Sequence, residues 1–205
     1  FYAETFGASP QKVTMLMVIF SLSQFVAAPI WGGLSDKYGR RLIIWITLAG
    51  SILAYIFLAY SNTLYSLFIA RAFAGFMAGN ISTAQAYISD ITTKENRAKA
   101  MGFFGAAFGI GFILGPAIGG ILAGSDPKSP NTFLPPIFAA TLSTFALLLA
   151  LFLLKDTRSL IKPNKNKRIV SLLEALKVPK LGQLILLSFI VTVVFASMES
   201  TFSLW

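Results

Sequence analysis

Residues 32–41 read Gly-Gly-Leu-Ser-Asp-Lys-Tyr-Gly-Arg-Arg and join two long apolar runs, 13–33 and 42–60. Neither run contains a charged residue, and each has about the 20 residues that a helix needs to span the hydrocarbon core of a bilayer. The glycines of the connection permit a sharp reversal of the chain, so we predict a tight turn between two membrane helices. The three cations of this turn place it on the cytoplasmic side, because positively charged loops stay inside the cell.

Four more apolar runs follow along the chain and continue the same alternation. They comprise residues 64–89, 100–124, 134–154 and 181–205. Almost all of the lysines and arginines fall in alternate connections, which is the charge distribution of a protein that crosses a membrane repeatedly. We therefore predict an all-α, multi-pass transmembrane helical bundle of six helices. The connections placed in the cytoplasm are residues 34–41, 90–99 and 155–180.

The composition supports a membrane protein and weakens other function classes. Hydrophobic residues make up 56% of the 205 residues and charged residues only 12%, about half the charge that a soluble domain carries. The net charge of +9 is spread over alternate loops rather than gathered on one face, so we predict no nucleic-acid partner. The chain has no histidine and no cysteine, which removes the commonest general base and the thiolate metal ligands. We therefore expect no enzyme activity, no cofactor and no metal site.

The connection at 32–41 also resembles a known signature. Its glycines, acid and arginines stand where the major facilitator superfamily of transporters carries a loop motif between its second and third helices. A generic cytoplasmic turn would explain the cations but neither the acid nor the glycine spacing. The resemblance implies that this loop forms the inner gate of a transporter and that an acid after the fourth helix joins it; simple solvation of that acid is the alternative. The residues concerned are Gly32, Asp36, Gly39, Arg40, Arg41 and, further along the chain, Asp90.

A second motif lies in the run 100–124. Its glycines and proline match the pattern G-x8-G-x3-G-P-x2-G, which resembles the antiporter signature in the fifth helix of the drug-efflux branch of the superfamily. Small residues four apart let a neighbouring helix approach closely, and a proline bends the helix that contains it. The resemblance implies export in exchange for protons, whereas ordinary small-residue packing is the alternative. The positions are Gly102, Gly111, Gly115, Pro116 and Gly119.

Arg71 is the single charge inside the run 64–89. An arginine within the membrane costs about 2.5–3.5 kcal/mol on insertion scales and needs a partner or water. The spacing R-x3-G-x3-G that it begins resembles the fourth-helix motif of the superfamily, which implies a role in proton coupling; reaching up to the outer headgroups is the alternative. The earlier spans contain no Asp or Glu, so we expect the partner carboxylate either in a first helix that precedes these residues in the family or across the cavity. Glu199 in the last span is the only candidate in view, and it could equally reach the surface.

The run 64–89 also offers candidates for a substrate cavity. Viewed along the helix axis, Gln85 extends the small-residue face of Arg71, whereas Asn80 and Tyr87 lie on the opposite side. One sequence leaves open which of these two faces looks at the substrate. We therefore take Asn80, Gln85 and Tyr87 together as cavity candidates.

The resemblance implies an organisation for the whole chain. Residues 1–154 correspond to the N-terminal half-bundle without its first helix. Residues 155–180 form a basic cytoplasmic linker with a short amphipathic helix at the membrane surface. Residues 181–205 are the first helix of the C-terminal half-bundle. The chain is thus expected to be a fragment with the second to seventh of twelve helices.

The resemblance is closest to the tetracycline and multidrug proton antiporters. It implies efflux of a small hydrophobic or amphipathic compound by alternating access. The implied partners are that small-molecule substrate, protons and the lipid bilayer; the full-length protein is expected to be a monomer in the bacterial inner membrane. The alternatives are a sugar or organic-acid symporter or facilitator on the same fold, and a membrane fragment without transport activity.

Overall fold

The computed structural model of the chain describes residues 9–124, 126 and 130–156, together with helical residues at 182–183, 186–187, 189–191 and 193–194. The chain divides into two compact units, Phe1–Lys162 and Pro163–Trp205, and every contact reported below lies within the first. The linker beyond residue 156 and Glu199, to which predictions are attached above, lie outside the described residues.

Six α-helices make up the described part of the first unit. They are α1 (Pro10–Tyr38), α2 (Arg40–Ala59), α3 (Leu64–Ala78), α4 (Ile81–Ile91), α5 (Lys94–Ala123) and α6 (Leu134–Leu153). Within the described ranges, five segments are long and apolar enough to cross a membrane, because α3 and α4 combine into a single span, Leu64–Ile91. The predicted all-α, multi-pass membrane bundle is confirmed.

The connection between α1 and α2 is a single residue. α1 continues to Tyr38 and α2 begins at Arg40, so the turn predicted over 32–41 is wrong in its extent. Gly39 has a φ of 99°, a conformation that residues with a Cβ rarely adopt, and its N–H donates to Ser35 O at 3.0 Å. One glycine therefore separates the two spans, and Asp36 lies inside the last turn of α1.

The charged segment 90–99 is also mostly helical rather than a loop. α4 ends at Ile91 and α5 begins at Lys94, which leaves only two threonines between the helices. Residues 94–100 read Lys-Glu-Asn-Arg-Ala-Lys-Ala and are mostly good helix formers. The hydrophilic stretch therefore extends α5 beyond its apolar span.

The core of the unit lies along α3, which packs against α1 and α2, while α2 also packs against α6. One cluster of buried side chains surrounds Leu67 and another surrounds Trp31. The end of the bundle that holds Gly39 and Trp31 is predicted to be cytoplasmic and is called the inner end below. The opposite end, with Leu67, is called the outer end.

The span formed by α3 and α4 is interrupted for two residues, which the apolar pattern did not predict. The interruption releases backbone carbonyls from the helical ladder, and side chains of α1 bind two of them. Trp31 Nε1 donates to Phe76 O at 2.7 Å, and Gln24 Nε2 donates to Ala78 O at 3.3 Å. Because carbonyls within a bundle need partners, these two side chains stabilise the break.

Candidate functional site at the inner end

The inner end of the bundle gathers one arginine and two carboxylates from three helices. Arg40, the first residue of α2, lies between Asp36 in the last turn of α1 and Asp90 in the last turn of α4. Its Nη1 is 2.5 Å from Asp36 Oδ1, and its Nε donates to Asp90 Oδ2 at 3.2 Å. Because Gly39 lets α2 begin at once, Asp36 and Arg40 are four residues apart and their ion pair bridges the junction.

Ser35 completes this arrangement, called the gate cluster below, which consists of Ser35, Asp36, Arg40 and Asp90. Ser35 is fully buried, and its Oγ accepts a hydrogen bond from Arg40 Nη1 at 2.6 Å and donates one to Gly32 O at 2.8 Å. Ser35 was not among the predicted site residues. The sequence feature that could have identified it is its position, since it is a hydroxyl residue directly before the acid of the motif.

The gate cluster is only partly shielded from solvent. The side chain of Arg40 is 12% exposed, that of Asp90 25% and that of Asp36 36%. Charge-assisted hydrogen bonds are stronger than neutral ones, and a planar guanidinium serves several acceptors at once. If one carboxylate is removed, the mostly buried guanidinium of Arg40 has fewer hydrogen-bond partners. The fold should tolerate this loss, because water reaches the positions of both acids. Across the part of the chain with assigned positions, no group of three His, Cys, Asp or Glu side chains could bind a metal ion.

The neighbouring Arg41 binds the end of α6 instead of the acids. Its Nη2 donates to Leu151 O at 3.2 Å, and its guanidinium carbon lies 4.2 Å from the centroid of the Trp45 ring. A cation near a helix C-terminus interacts favourably with the unpaired carbonyls there. The two arginines of the predicted gate motif thus have different partners.

The three cavity candidates do not share a surface. Asn80 is half-buried, and its Nδ2 donates to Thr47 Oγ1 of α2 at 2.7 Å. Tyr87 is 6% exposed, and its hydroxyl accepts a hydrogen bond from the backbone N–H of Lys155 at 2.9 Å. Gln85 is exposed. A contribution to a substrate cavity stays a prediction for all three residues.

Arg71 lies towards the outer end and borders a cavity of about 270 Å³. Tyr55 of α2, Asn131 in the connection before α6 and Pro135 of α6 border the same cavity. None of the lining residues is acidic, and among residues 9–124, 126 and 130–156 no carboxylate forms an ion pair with Arg71. Proton coupling stays a prediction for Arg71 and for Glu199.

The glycine–proline pattern of α5 occupies a helix surface that the described residues leave open. α5 runs through Pro116 without interruption, and none of its residues is buried. A Cβ built on any glycine of the pattern would meet nothing within 4 Å apart from its own helix backbone. The glycines concerned are Gly102, Gly111, Gly115 and Gly119. Their part in antiport stays a prediction.

Comparison with known proteins gives a consistent set of similarities. A family model described as Major Facilitator Superfamily matches residues 1–205. The chain is 39% identical over 142 residues to the tetracycline resistance protein, class G, of Vibrio anguillarum, an alignment that covers 69% of this chain and 35% of that protein. It is 34% identical over 149 residues to multidrug resistance protein 1 of Bacillus subtilis (strain 168), covering 72% of this chain and 37% of that protein.

A solved structure is similar as well. The crystal structure of the human organic anion transporter MFSD10 (TETRAN) aligns with a TM-score of 0.61 and 30% sequence identity, covering 71% of this chain and 33% of that one. The aligned region thus spans about a third of the length of the curated relatives and of the solved structure.

Proposed function

Because the chain belongs to the major facilitator superfamily, we propose that its full-length gene product is a secondary active transporter of the drug-efflux type. It carries a small hydrophobic or amphipathic compound out of the cell in exchange for protons, without covalent chemistry on that compound. Relatives named for tetracycline and multidrug resistance support the substrate class. The glycine–proline pattern of α5 supports exchange with protons. We place the transporter, as a monomer, in the bacterial inner membrane with its gate cluster in the cytoplasm.

The observation that carries the proposal is the gate cluster. One guanidinium, that of Arg40, joins α1, α2 and α4 at a single end of the bundle. In alternating access, two half-bundles rock about a central site; the gate cluster lies within the first of them, so its action as a gate requires that its contacts differ between the two states. Charge-assisted hydrogen bonds that water can reach meet this need, since water replaces a lost partner when the cluster opens.

Arg71 takes part in proton coupling, in this proposal, without itself carrying the proton. Its guanidinium keeps its charge at any working pH and therefore cannot release a proton. In a cavity of low dielectric, that charge favours the ionised form of a nearby carboxylate, so protonation of the carboxylate depends on its distance from Arg71. Glu199 is the candidate carboxylate in this sequence.

Proton-driven efflux in everted membrane vesicles that contain the full-length gene product tests the proposal. We expect the vesicles to accumulate tetracycline when their interior is acidified, and a protonophore to abolish the accumulation. Arg71→Ala should abolish it as well, whereas Arg71→Lys, which keeps the charge but loses the planar fork, should retain part of it. Equilibration that is independent of the pH gradient would indicate a facilitator. If the alanine variant still couples efflux to the pH gradient, Arg71 takes no part in coupling and only reaches the outer headgroups.

Transport of an organic anion is a second candidate, favoured by the cavity around Arg71. That cavity carries a permanent positive charge, none of its lining residues among those that the structure describes is acidic, and the similar solved structure is described as an organic anion transporter. Competition against tetracycline accumulation separates the two candidates. Strong inhibition by an aromatic carboxylate but not by its neutral amide would select the anion, and insensitivity to the carboxylate would reject it.

A further inference from the structure

Two side chains end α6, because one binds the donor and the other the acceptor of the hydrogen bond that would extend the helix. If α6 continued past Leu153, the N–H of Lys155 would donate to Leu151 O, four residues earlier. Instead, the hydroxyl of Tyr87 accepts from Lys155 N–H at 2.9 Å, and Arg41 Nη2 donates to Leu151 O at 3.2 Å. Tyr87 has thus taken the donor of the next helical hydrogen bond and Arg41 its acceptor.

Both side chains belong to the helices that build the gate cluster. Arg41 follows Arg40 directly in α2. Tyr87 lies three residues before Asp90 in α4, so the two residues share a face of that helix. The ion pair between Arg40 and Asp90 joins α2 to α4 at this point. Arg41 reaches α6 from α2, which packs against α6 along its length, whereas Tyr87 reaches Lys155 from α4, so the Tyr87 contact is in place only while α4 is held against α2.

We propose that Arg41 and Tyr87 form a clasp that couples the end of α6 to the gate cluster, an inference that rests on the gate function proposed above. When Arg40 and Asp90 separate, α4 moves away from α2, and Lys155 N–H loses the hydroxyl of Tyr87. Lys155 N–H then donates to Leu151 O, a carbonyl that can accept a second hydrogen bond beside that of Arg41, and α6 lengthens towards residue 155. The last turn of α6 is thus a two-state element, clasped in the closed gate and extended in the open one.

The clasp assigns Tyr87 a positioning role. Its ring is buried, and its hydroxyl contacts the backbone that leaves α6. In the extended state Lys155 N–H has a backbone partner, but in the clasped state it depends on Tyr87. The hydroxyl therefore stabilises the clasped state alone, and only such differential contact shifts an equilibrium between two states.

A buried reporter makes the gate equilibrium measurable. The chain contains no cysteine, and Ser35 in the gate cluster is fully buried, so Ser35→Cys introduces a thiol that reacts only when the cluster opens. In everted vesicles the cytoplasmic face is exposed, and the rate of alkylation of this thiol by an impermeant maleimide follows the open population. All variants below are compared in this Ser35→Cys background.

Tyr87→Phe removes the hydroxyl and keeps the ring. We expect it to speed alkylation by about fivefold, the factor that one typical hydrogen bond contributes, and to lower the unfolding temperature by only a few degrees. Tyr60→Phe is the matched control, because it removes a hydroxyl at the outer end of α2, and it should leave the rate unchanged. An unchanged rate in Tyr87→Phe would overturn the clasp.

Lys155→Pro separates the clasp from a general structural role of Tyr87. Proline lacks the N–H that both states compete for, and the preceding Leu154 already has a ψ of 126°, which suits a residue before proline. Tyr87→Phe should therefore lose its effect in a Lys155→Pro background and keep it in a Lys155→Ala background, where the N–H remains. An effect of Tyr87→Phe that persists with proline would show that the hydroxyl acts elsewhere and would overturn the clasp.

Asp36→Asn distinguishes a failure of the clasp proposal from a failure of the gate proposal. If Asp36→Asn speeds alkylation and Tyr87→Phe does not, the gate stands and the clasp is rejected. If Asp36→Asn also leaves the rate unchanged, the gate function itself is rejected, and the clasp with it.

Discussion

Two segments of this bundle carry glycines four residues apart, and the structure uses them differently. A Cβ built on Gly75 of α3 would lie 2.9 Å from Phe20 Cα and against the carbonyl of the same residue, so α1 passes at backbone distance. A Cβ built on Gly111 or Gly115 of α5 would meet nothing within 4 Å beyond its own helix backbone. The same spacing therefore predicts that a helix can be approached closely, but it does not tell whether a partner is present.

The surroundings of the two segments explain their separate uses. α3 lies in the core, with Leu67, Ala70, Ala74 and Gly75 buried. α5 has no buried residue along its length, and Ile113 on the same helix is 75% exposed. The glycine of α3 therefore stabilises the fold, whereas packing of the described bundle does not depend on the glycines of α5.

The largest expected effect is on stability, from Gly75→Ala. The added methyl would meet the backbone of Phe20 rather than a movable side chain, so α1 and α3 must separate. Overpacking of this kind costs about 1–3 kcal/mol, and we expect the upper part of that range. Thermal unfolding of the purified protein in detergent measures the loss.

Gly111→Ala, on the open face of α5, is the matched control for that substitution. It should unfold at or slightly above the wild-type temperature, because alanine is the better helix former by roughly 1 kcal/mol. Equal losses of stability in the two variants would abolish the distinction between α3 and α5.

A change in transport rather than stability is expected from Gly111→Leu. If another helix approaches the open face of α5 during transport, a leucine side chain keeps it at a distance. We expect proton-driven efflux to fall about tenfold, a barrier higher by about 1.4 kcal/mol, while the unfolding temperature is retained. Gly111→Ala should lose less. Efflux at the wild-type rate with leucine at this position would mean that nothing approaches this face during transport.

A small gain in stability, with a change in coupling, is expected from Pro116→Ala. The substitution supplies a backbone N–H that can donate to Phe112 O, so α5 should become more stable by no more than about 1 kcal/mol. If the proline shapes the face that the glycines expose, the ratio of drug flux to proton flux should fall although assembly is normal. A normal ratio in a normally assembled variant would leave the pattern of α5 as a packing feature.

The membrane spans and part of the gate cluster could be predicted from local sequence. A helix that crosses the hydrocarbon core must be long and apolar and must pair its own backbone groups, so local composition is enough to recognise it. The approach of Asp36 and Arg40 is local as well, because only four positions and one glycine separate them. Asp90, which only the family resemblance led us to expect at the inner gate, lies beside the guanidinium, and the structure adds Ser35.

The remaining features depend on residues that are distant in sequence. The break after Ala78 is stable because Gln24 and Trp31 of α1 bind the released carbonyls. No pattern within the span itself could predict these partners. Tyr87 has an ordinary sequence environment, and its contact with Lys155, 68 residues later, exists only because α4 and the end of α6 meet at the inner end.

By itself, the sequence determined the class of the protein, because the five apolar spans within the described ranges follow from transfer energies, and Asp36 and Arg40 stand only four positions apart. Only the tertiary structure decided which glycines pack, where the span Leu64–Ile91 is interrupted and which side chains end α6. Those outcomes depend on which helices become neighbours. A hydrogen bond or a close backbone contact contributes only when both of its partners are brought together, and one stretch of sequence specifies only one of them.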